Sequence, residues 1–249
     1  MDNTQKFSGK ADVYQQARPS YAQAMMDFIA QKWQIGEGSK VADIGSGTGI
    51  LTRQLLGLGA KVFAVEPNVD MRAKAEKLLG EHPNFVSVIG TAEQTTLPDH
   101  SFHLATAASA FHWFDPERFR QECDRILLPG APVVLLWNEA RISEEINLGR
   151  ERIYQKYCPN YKGFSGGREG RNLARHVFFG EEIQEQRFPN PLIYNRMTFV
   201  NRALSSSSSL IETDPEFEAY LAELGELFDQ YAIDGKIVLP QDSVAYFRG

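Results

Sequence analysis

Short apolar stretches alternate with helical patterns between Lys40 and Asn138, and this alternation limits the folds open to the chain. Strands separated by helices run parallel and carry their helices on both faces of one sheet. The sequence therefore predicts a doubly wound, Rossmann-like α/β fold, in which ligands lie beyond the carboxyl ends of the strands. The predicted strands are 40–43, 62–66, 85–89, 102–107 and 133–137.

A glycine-rich turn follows the first predicted strand. Residues 41–49 read V-A-D-I-G-S-G-T-G, and a helical pattern begins at Ile50. Glycines at alternate positions permit backbone angles closed to other residues and let a ligand approach bare peptide. In the dinucleotide fingerprint G-x-G-x-x-G, the third glycine would fall on Ile50. The turn therefore predicts a ligand other than a dinucleotide pyrophosphate.

Residues at the ends of the next two strands suit a nucleoside. Glu66 follows the second strand about twenty residues after the turn begins, where a carboxylate accepts hydrogen bonds from ribose hydroxyls. Met71 lies one helical turn later and either contacts an adenine face or packs in the core. After the third strand, the segment G-T-A-E at 90–93 lets the backbone approach an adenine edge, where Glu93 or a nearby amide meets its polar atoms.

The fourth strand ends in small residues that are followed at once by aromatic ones. The segment 105–110 reads A-T-A-A-S-A, and 111–114 reads F-H-W-F. Small side chains leave room for a ligand, and aromatic side chains enclose it. His112 is the candidate general base because imidazole titrates near neutral pH. The alternative is that His112 only shapes the site or orients a cofactor.

The order of these motifs resembles that of small-molecule methyltransferases of the trans-aconitate methyltransferase-like, or type 11, group. The motifs are D-I-G-S-G-T-G, V-E-P-N, G-T-A-E-Q-T-T-L-P, A-F-H-W-F-D and R-I-L-L-P-G-A. The resemblance implies a class I enzyme that uses S-adenosylmethionine (SAM) and releases S-adenosylhomocysteine (SAH). It also implies a seven-stranded sheet of order 3-2-1-4-5-7-6 with the last strand antiparallel. The predicted cofactor-binding residues are Asp43, Gly45, Ser46, Gly47, Thr48, Gly49, Glu66, Pro67, Asn68, Met71, Thr91, Ala92, Glu93, Ala107, Ala108, Ser109, His112 and Trp113.

The resemblance is consistent with one methyltransferase domain that covers the whole chain. Residues 1–30 are predicted to form N-terminal lid helices, and 31–138 the SAM-binding core. Residues 139–180 are predicted to be an inserted helical cap. The sheet extension is assigned to 181–249, with strand patterns at 182–188 and 237–247 and a helix at 215–231.

Basic side chains in the lid and the cap are candidates for holding a carboxylate. Tyr14 and Arg18 are predicted catalytic residues, since the lid of related enzymes folds over the cofactor and Arg18 suits a carboxylate. The alternative is an ordinary amphipathic surface helix. Arg168, Arg171 and Arg175 offer a second carboxylate clamp in the cap, although solvated surface charge is the competing interpretation for them.

Composition narrows the classes of partner. The formal net charge of −6 and a pI near 5.5 argue against a nucleic-acid surface, which needs clustered excess Lys and Arg. The sequence has no signal-peptide pattern and no apolar run of about 20 residues, so we expect no membrane span and a cytoplasmic protein. His100 and His103 stand three apart near a strand, where side chains at that spacing face opposite sides, so no metal site is expected.

Three functions remain open from the sequence. The first is SAM-dependent methyl transfer to a small organic acceptor by in-line displacement, with O-methylation of a carboxylate or hydroxyl favoured by family analogy. The second is an NAD(P)-dependent oxidoreductase, which Glu66 permits and the position of the third glycine opposes. The third is a non-catalytic module that binds SAM.

Overall fold

A seven-stranded sheet forms the centre of the fold. The computed structural model describes residues 19–164, 169–206 and 208–248. The strands are β1 (Lys40–Ile44), β2 (Lys61–Val65), β3 (Phe85–Val88), β4 (Leu104–Ala108), β5 (Val133–Ala140), β6 (Ile183–Pro189), β7 (Leu192–Tyr194), β8 (Ile237–Leu239) and β9 (Gln241–Arg248). Seven of these strands form the large sheet, in the order β3-β2-β1-β4-β5-β9-β6, with β9 antiparallel. The predicted doubly wound fold and its strand order are confirmed.

The helices begin where the sequence supplies suitable caps. The Asn68 side chain accepts from two amides at the start of the third helix, and Asp115 does the same for the fourth, with Pro116 in its first turn. No helix among the described residues combines the length and apolarity needed to cross a bilayer. The helices are α1 (Gln23–Trp33), α2 (Ile50–Gly57), α3 (Val69–Leu79), α4 (Pro116–Ile126), α5 (Glu145–Tyr157), α6 (Glu169–Phe179), α7 (Arg196–Leu204) and α8 (Phe217–Tyr231).

The strands of the sheet bury side chains on both faces. Along β1, Ala42 and Ile44 belong to one core cluster, whereas Val41 belongs to another. Along β4, Leu104 and Ala105 divide between the clusters in the same way. This alternation is the two-residue period of a strand, and burial on both faces is typical of parallel sheets covered by helices.

The register of the central strands brings the predicted site segments to one edge. In the parallel pairing of β1 with β2, Ile44 lies opposite Val65, and in that of β1 with β4, Asp43 lies opposite Thr106. Strands β1, β2 and β4 therefore end close together at their carboxyl ends. The glycine turn, Glu66 and the small residues after β4 all follow at this edge.

The described chain divides into two compact units. One contains residues up to Trp137 together with Arg171–Phe188 and the residues from Ser243 onward, and the other contains Asn138–Gly170 and Pro189–Asp242. The division does not follow the predicted boundaries of cap and sheet extension at residue 180. The single-domain organisation with four segments stays a prediction.

The C-terminal strand pattern at 237–247 divides into two strands, which the sequence did not indicate. Pro240 separates β8 from β9, since proline donates no hydrogen bond to a sheet. Strand β8 pairs antiparallel with β7 in a separate two-stranded sheet, in which Ile193 lies opposite Val238. Only β9 and β6 extend the main sheet, so the prediction that all of 237–247 does so is wrong.

Candidate cofactor site

The three glycines of the turn differ in what surrounds them. Their φ angles are +67° at Gly45, +57° at Gly47 and +82° at Gly49, all in the region that glycine favours. A Cβ atom at Gly45 would lie 2.7 Å from Cβ of Ala110, and one at Gly49 would lie 2.7 Å from Cδ1 of Leu79. At Gly47, a Cβ would meet nothing within 4 Å. Packing therefore excludes a side chain at Gly45, whereas at Gly49 the nearest atom is the movable end of a leucine and the positive φ angle is the constraint. Gly47 leaves open space over bare peptide.

Asp43 is a fully buried carboxylate at the end of β1. Its Oδ2 accepts from Oγ1 of Thr52 at 2.6 Å, and its Oδ1 accepts from Oγ1 of Thr106 at 3.1 Å. Burial raises the pKa of Asp43 from 3.8 to about 6, although the threonine hydrogen bonds act in the opposite direction. The negative charge of Glu66 adds to the rise. Asp43 therefore ties β1 to α2 and β4 directly beneath the glycine turn.

Neither threonine that holds Asp43 is among the predicted site residues. Thr52 lies on the buried face of α2, and Thr106 lies inside the otherwise apolar strand β4. The signal that could have found them is a polar side chain at a position where the pattern calls for an apolar one, because buried polar groups need partners.

Glu66 lies against the glycine turn and is buried. Its Oε2 accepts from the backbone N–H of Gly47 at 2.8 Å, and its Oε1 accepts from the N–H of Asn68 at 2.9 Å. Burial raises the pKa of Glu66, opposed by these two hydrogen bonds. Each carboxylate oxygen has two lone pairs, so both can accept a further hydrogen bond from a ligand.

Two hydroxyl groups in the turn lack a partner. Oγ of Ser46 and Oγ1 of Thr48 are buried, and neither has a hydrogen-bond partner in the described part of the chain. A buried polar atom without a partner costs about 1–3 kcal/mol. Both atoms lie in the turn that leaves bare peptide at Gly47, so the turn suits a polar ligand.

The segment after β3 forms a tight turn. Thr91 and Gln94 exchange backbone hydrogen bonds of 3.1 and 3.3 Å, and Ala92 between them is buried. Oε1 of Glu93 accepts from the N–H of Asp115 at 2.9 Å. The carboxylate of Glu93 therefore already has a backbone partner at the start of α4. Met71 lies in α3 with only 3% of its surface exposed.

The end of β4 carries a strained residue and an exposed aromatic pair. Ser109 has φ = +53°, which is uncommon for a residue with a Cβ, and its Oγ lies 3.2 Å from the hydroxyl of Tyr21. His112 and Trp113 follow in a short 3₁₀ turn with their ring centroids 4.6 Å apart, and both are exposed. Strain of this kind is concentrated at functional sites, where the surrounding structure maintains it.

Several predicted residues have no described side chain. Tyr14, Arg18 and Arg168 lie outside the described residues, and only the backbone of Arg171 is described. Arg175 is buried, with its guanidinium carbon 3.7 Å from the ring centroid of Tyr246. Solvated surface charge is therefore the wrong interpretation of Arg175, because an aromatic face compensates its burial.

The two histidines near β4 make separate contacts. Nδ1 of His103 accepts from the N–H of Lys40 at 3.1 Å, and Nδ1 of His100 lies 3.1 Å from the carbonyl oxygen of Leu127. Within the described ranges, no group of three His, Cys, Asp or Glu side chains is arranged to hold a metal ion.

Sequence comparison finds methyltransferases. Residues 42–135 match the family model described as a methyltransferase domain. An uncharacterized methyltransferase of Mycobacterium tuberculosis is 35% identical over 137 residues, which cover 55% of this chain and 54% of the relative. The chain thus spans about half the length of the curated relatives that it matches.

Solved structures with the same fold extend over almost the whole chain. A candidate type II methyltransferase from Anaeromyxobacter dehalogenans has a TM-score of 0.66 at 21% identity, covering 93% of this chain and 95% of its own. A phosphoethanolamine N-methyltransferase from Haemonchus contortus, solved with phosphomonomethylethanolamine and SAH, has a TM-score of 0.54 at 15% identity. It covers 99% of this chain and 58% of its own. At these identities the likeness concerns the fold alone.

Proposed function

We propose, from the premise that this chain belongs to the class I methyltransferases, that it transfers a methyl group from SAM to a small organic acceptor. SAM supplies a methyl group that its sulfonium already activates. The chain's own residues then have to bind the two reactants, align them and exclude water from the site. Alignment and exclusion of water contribute much of the catalysis of a displacement. The observation that carries the proposal is the glycine turn held against the buried carboxylate of Glu66.

The residues of the turn fit the cofactor. The unpartnered hydroxyls of Ser46 and Thr48 and the bare peptide at Gly47 suit the polar aminoacyl part of SAM. Both oxygens of Glu66 have capacity for the ribose hydroxyls, and the turn at Ala92 suits a flat adenine edge. These residues thus offer polar groups for the aminoacyl part and the ribose, and a backbone turn for the base.

The acceptor is proposed to be a carboxylate or a hydroxyl that becomes O-methylated. A carboxylate is a sufficient nucleophile without a base, whereas a hydroxyl benefits from a base within hydrogen-bond reach. His112 is the proposed base for a hydroxyl acceptor, because it lies exposed after β4. If the acceptor is a carboxylate, His112 orients a ligand and transfers no proton.

Turnover tests the proposal. The full chain is incubated with SAM carrying a labelled methyl group and with a panel of small carboxylic acids, phenols and amines. We expect label in at least one acid or phenol. Silence with every acceptor, despite binding of SAM, would instead favour a non-catalytic SAM-binding module. Label in amines alone would contradict O-methylation.

The role of His112 is tested with the acceptor found. A base role predicts that His112→Gln lowers kcat by about 10²-fold or more and abolishes its dependence on pH near neutrality. An unchanged pH profile and near-normal kcat would exclude proton transfer by His112. Binding of SAM by the variant, measured in parallel, separates this result from loss of the cofactor.

A further inference from the structure

A buried carboxylate on α4 is not explained by the proposed site. Glu122 lies in the last part of α4 and is buried. Its Oε1 accepts from the backbone N–H of Thr95 at 2.8 Å and from the Thr95 hydroxyl. The guanidinium of Arg125 donates to both carboxylate oxygens, at 2.7 and 2.9 Å. Burial raises the pKa of Glu122, but the hydrogen bonds from Arg125 and Thr95 outweigh it and hold the pKa below its usual value.

Arg125 also contacts the residues that follow Thr95. Its Nη1 donates to the carbonyl oxygen of Leu97 at 2.8 Å and forms an ion pair with Asp99. The Glu122–Arg125 pair thus contacts Thr95, Leu97 and Asp99, which alternate along the chain. Because Thr95 and Leu97 are buried, these bonds form with little competition from water.

The loop also holds a strained residue between two of these contacts. Thr96 has φ = +64°, a left-handed conformation that is a clear outlier for a β-branched residue. Backbone strain of this kind is unfavourable and persists only where surrounding contacts enforce it. The bonds to Thr95 and Leu97, one on each side of Thr96, are such contacts.

The loop has a second attachment to α4 at its other end. Glu93 accepts a hydrogen bond from the backbone of Asp115, the residue that caps α4. The segment 91–99 thus contacts both ends of one helix and has no helix or extended strand of its own. Fixing such a segment costs conformational entropy, which these contacts have to offset.

We propose that Glu122 is a positioning residue for the adenine end of the cofactor site. Acting through Arg125 and Thr95, it holds the loop at 91–99 in the conformation that binds the base, without touching the cofactor. The inference rests on the proposed binding of SAM. It assigns a role in the site to α4, on which none of the predicted site residues lies.

Binding measurements on Glu122→Gln test the inference. The glutamine keeps the size of the side chain but replaces one acceptor oxygen by a donor, which faces donors of Thr95 or Arg125. We expect the Kd for SAH to rise about tenfold, which corresponds to about 1.4 kcal/mol. The Kd for adenosine, which has the base but no aminoacyl part, should rise by the same factor.

Two further variants keep the result interpretable. Glu117→Gln changes an exposed carboxylate on the same helix and should leave the Kd for SAH unchanged. Arg125→Met, at a partly exposed position, removes the bonds to Glu122, Leu97 and Asp99 but keeps the bonds from Thr95 to Glu122, and it should raise the Kd about threefold. All titrations are made well below the unfolding midpoint of each variant, so that a general loss of stability does not alter the Kd.

The outcomes are distinct. A folded Glu122→Gln chain that binds SAH within twofold of the wild type would overturn the inference, as would weakening of SAH without weakening of adenosine. If Glu122→Gln does not fold, wild-type affinity in Arg125→Met would overturn it instead. If the wild-type chain binds neither SAM nor SAH, the proposed function itself fails, which is a different result.

Discussion

The glycine turn at 45–49 and the loop at 91–99 both follow parallel strands at one edge of the sheet, but they are held in different ways. The turn is shaped by positive φ angles and by hydrogen bonds from the N–H groups of Gly45 and Ser46 to the carbonyl oxygen of Val65 in β2. The Glu66 side chain adds one bond, to the N–H of Gly47. The loop is held by side chains of α4, namely Glu122 and Arg125. The glycines that permit the shape of the turn form a short motif that is visible in the sequence. The bonds that hold the loop join its backbone to side chains more than twenty positions away, where no motif marks them.

The largest effect is expected where the backbone of the turn is changed. Gly45→Ala adds a Cβ atom 2.7 Å from Cβ of Ala110 at a positive φ angle. Left-handed strain of about 1–2 kcal/mol and overpacking of about 1–3 kcal/mol should lower the free energy of unfolding by about 4 kcal/mol in urea titrations. Gly38→Ala is the control, since it has φ = +83° but no neighbour within 4 Å. Equal losses in the two variants would show that packing does not require Gly45.

The next effect concerns the charge beneath the turn. Because the folded state raises the pKa of Asp43 from 3.8 to about 6, it holds this proton more tightly than the unfolded chain does. The folded state should therefore lose about 2.5 kcal/mol of stability from this group as pH rises from about 4 to 7, and the cost is complete above that window. Asp43→Asn has no such cost.

Urea unfolding of wild type and Asp43→Asn at pH 4 and pH 7.5 measures this difference directly. Other titrating groups are common to both proteins, so the change with pH in the variant minus that in the wild type isolates Asp43. The difference between the proteins should grow by about 2.5 kcal/mol in favour of the variant as pH rises. The same pH dependence in both proteins would show that Asp43 titrates in the folded state as it does when unfolded.

A smaller effect is expected at Glu66, whose carboxylate accepts a hydrogen bond from the N–H of Gly47 in the turn. Glu66→Gln replaces an acceptor oxygen by a donor opposite the N–H of Gly47 or Asn68. A hydrogen bond to a charged group contributes about 1.5–3 kcal/mol, so the Kd for SAH should rise about thirtyfold. Glu81→Gln, an exposed matched change, should leave the Kd unaltered. Unchanged affinity in Glu66→Gln would mean that the carboxylate is not a ligand contact.

The smallest effect is expected in the loop. Thr96→Gly removes left-handed strain but adds freedom to the unfolded chain, and it loses the bond from Thr96 Oγ1 to the carbonyl oxygen of Ile89. The net gain in the free energy of unfolding should not exceed about 1 kcal/mol. If Thr96→Gly instead lowers the free energy of unfolding by more than about 1 kcal/mol, the loop is not strained at Thr96.

The sequence predicts features that residues close together in the chain determine. Alternating strand and helix patterns, with the family resemblance, predict the sheet, and they place the glycine turn and Glu66 at the ends of two strands. The bond between Gly47 and Glu66 is a finding of the structure. The sequence does not predict contacts that depend on the assembled fold, such as Thr95 with Glu122. For the same reason Arg175 looks like a surface charge until β9 brings Tyr246 against it.

Calorimetric titration of the full chain with SAH, and separately with NAD, tests the assignment of the glycine turn most directly. The third glycine falls one position before that of the dinucleotide fingerprint, and Glu66 suits a ribose in either ligand. We expect SAH to bind at one site per chain and NAD to give no binding heat at the same concentration. Binding of NAD without binding of SAH would contradict the methyltransferase assignment and restore the oxidoreductase alternative.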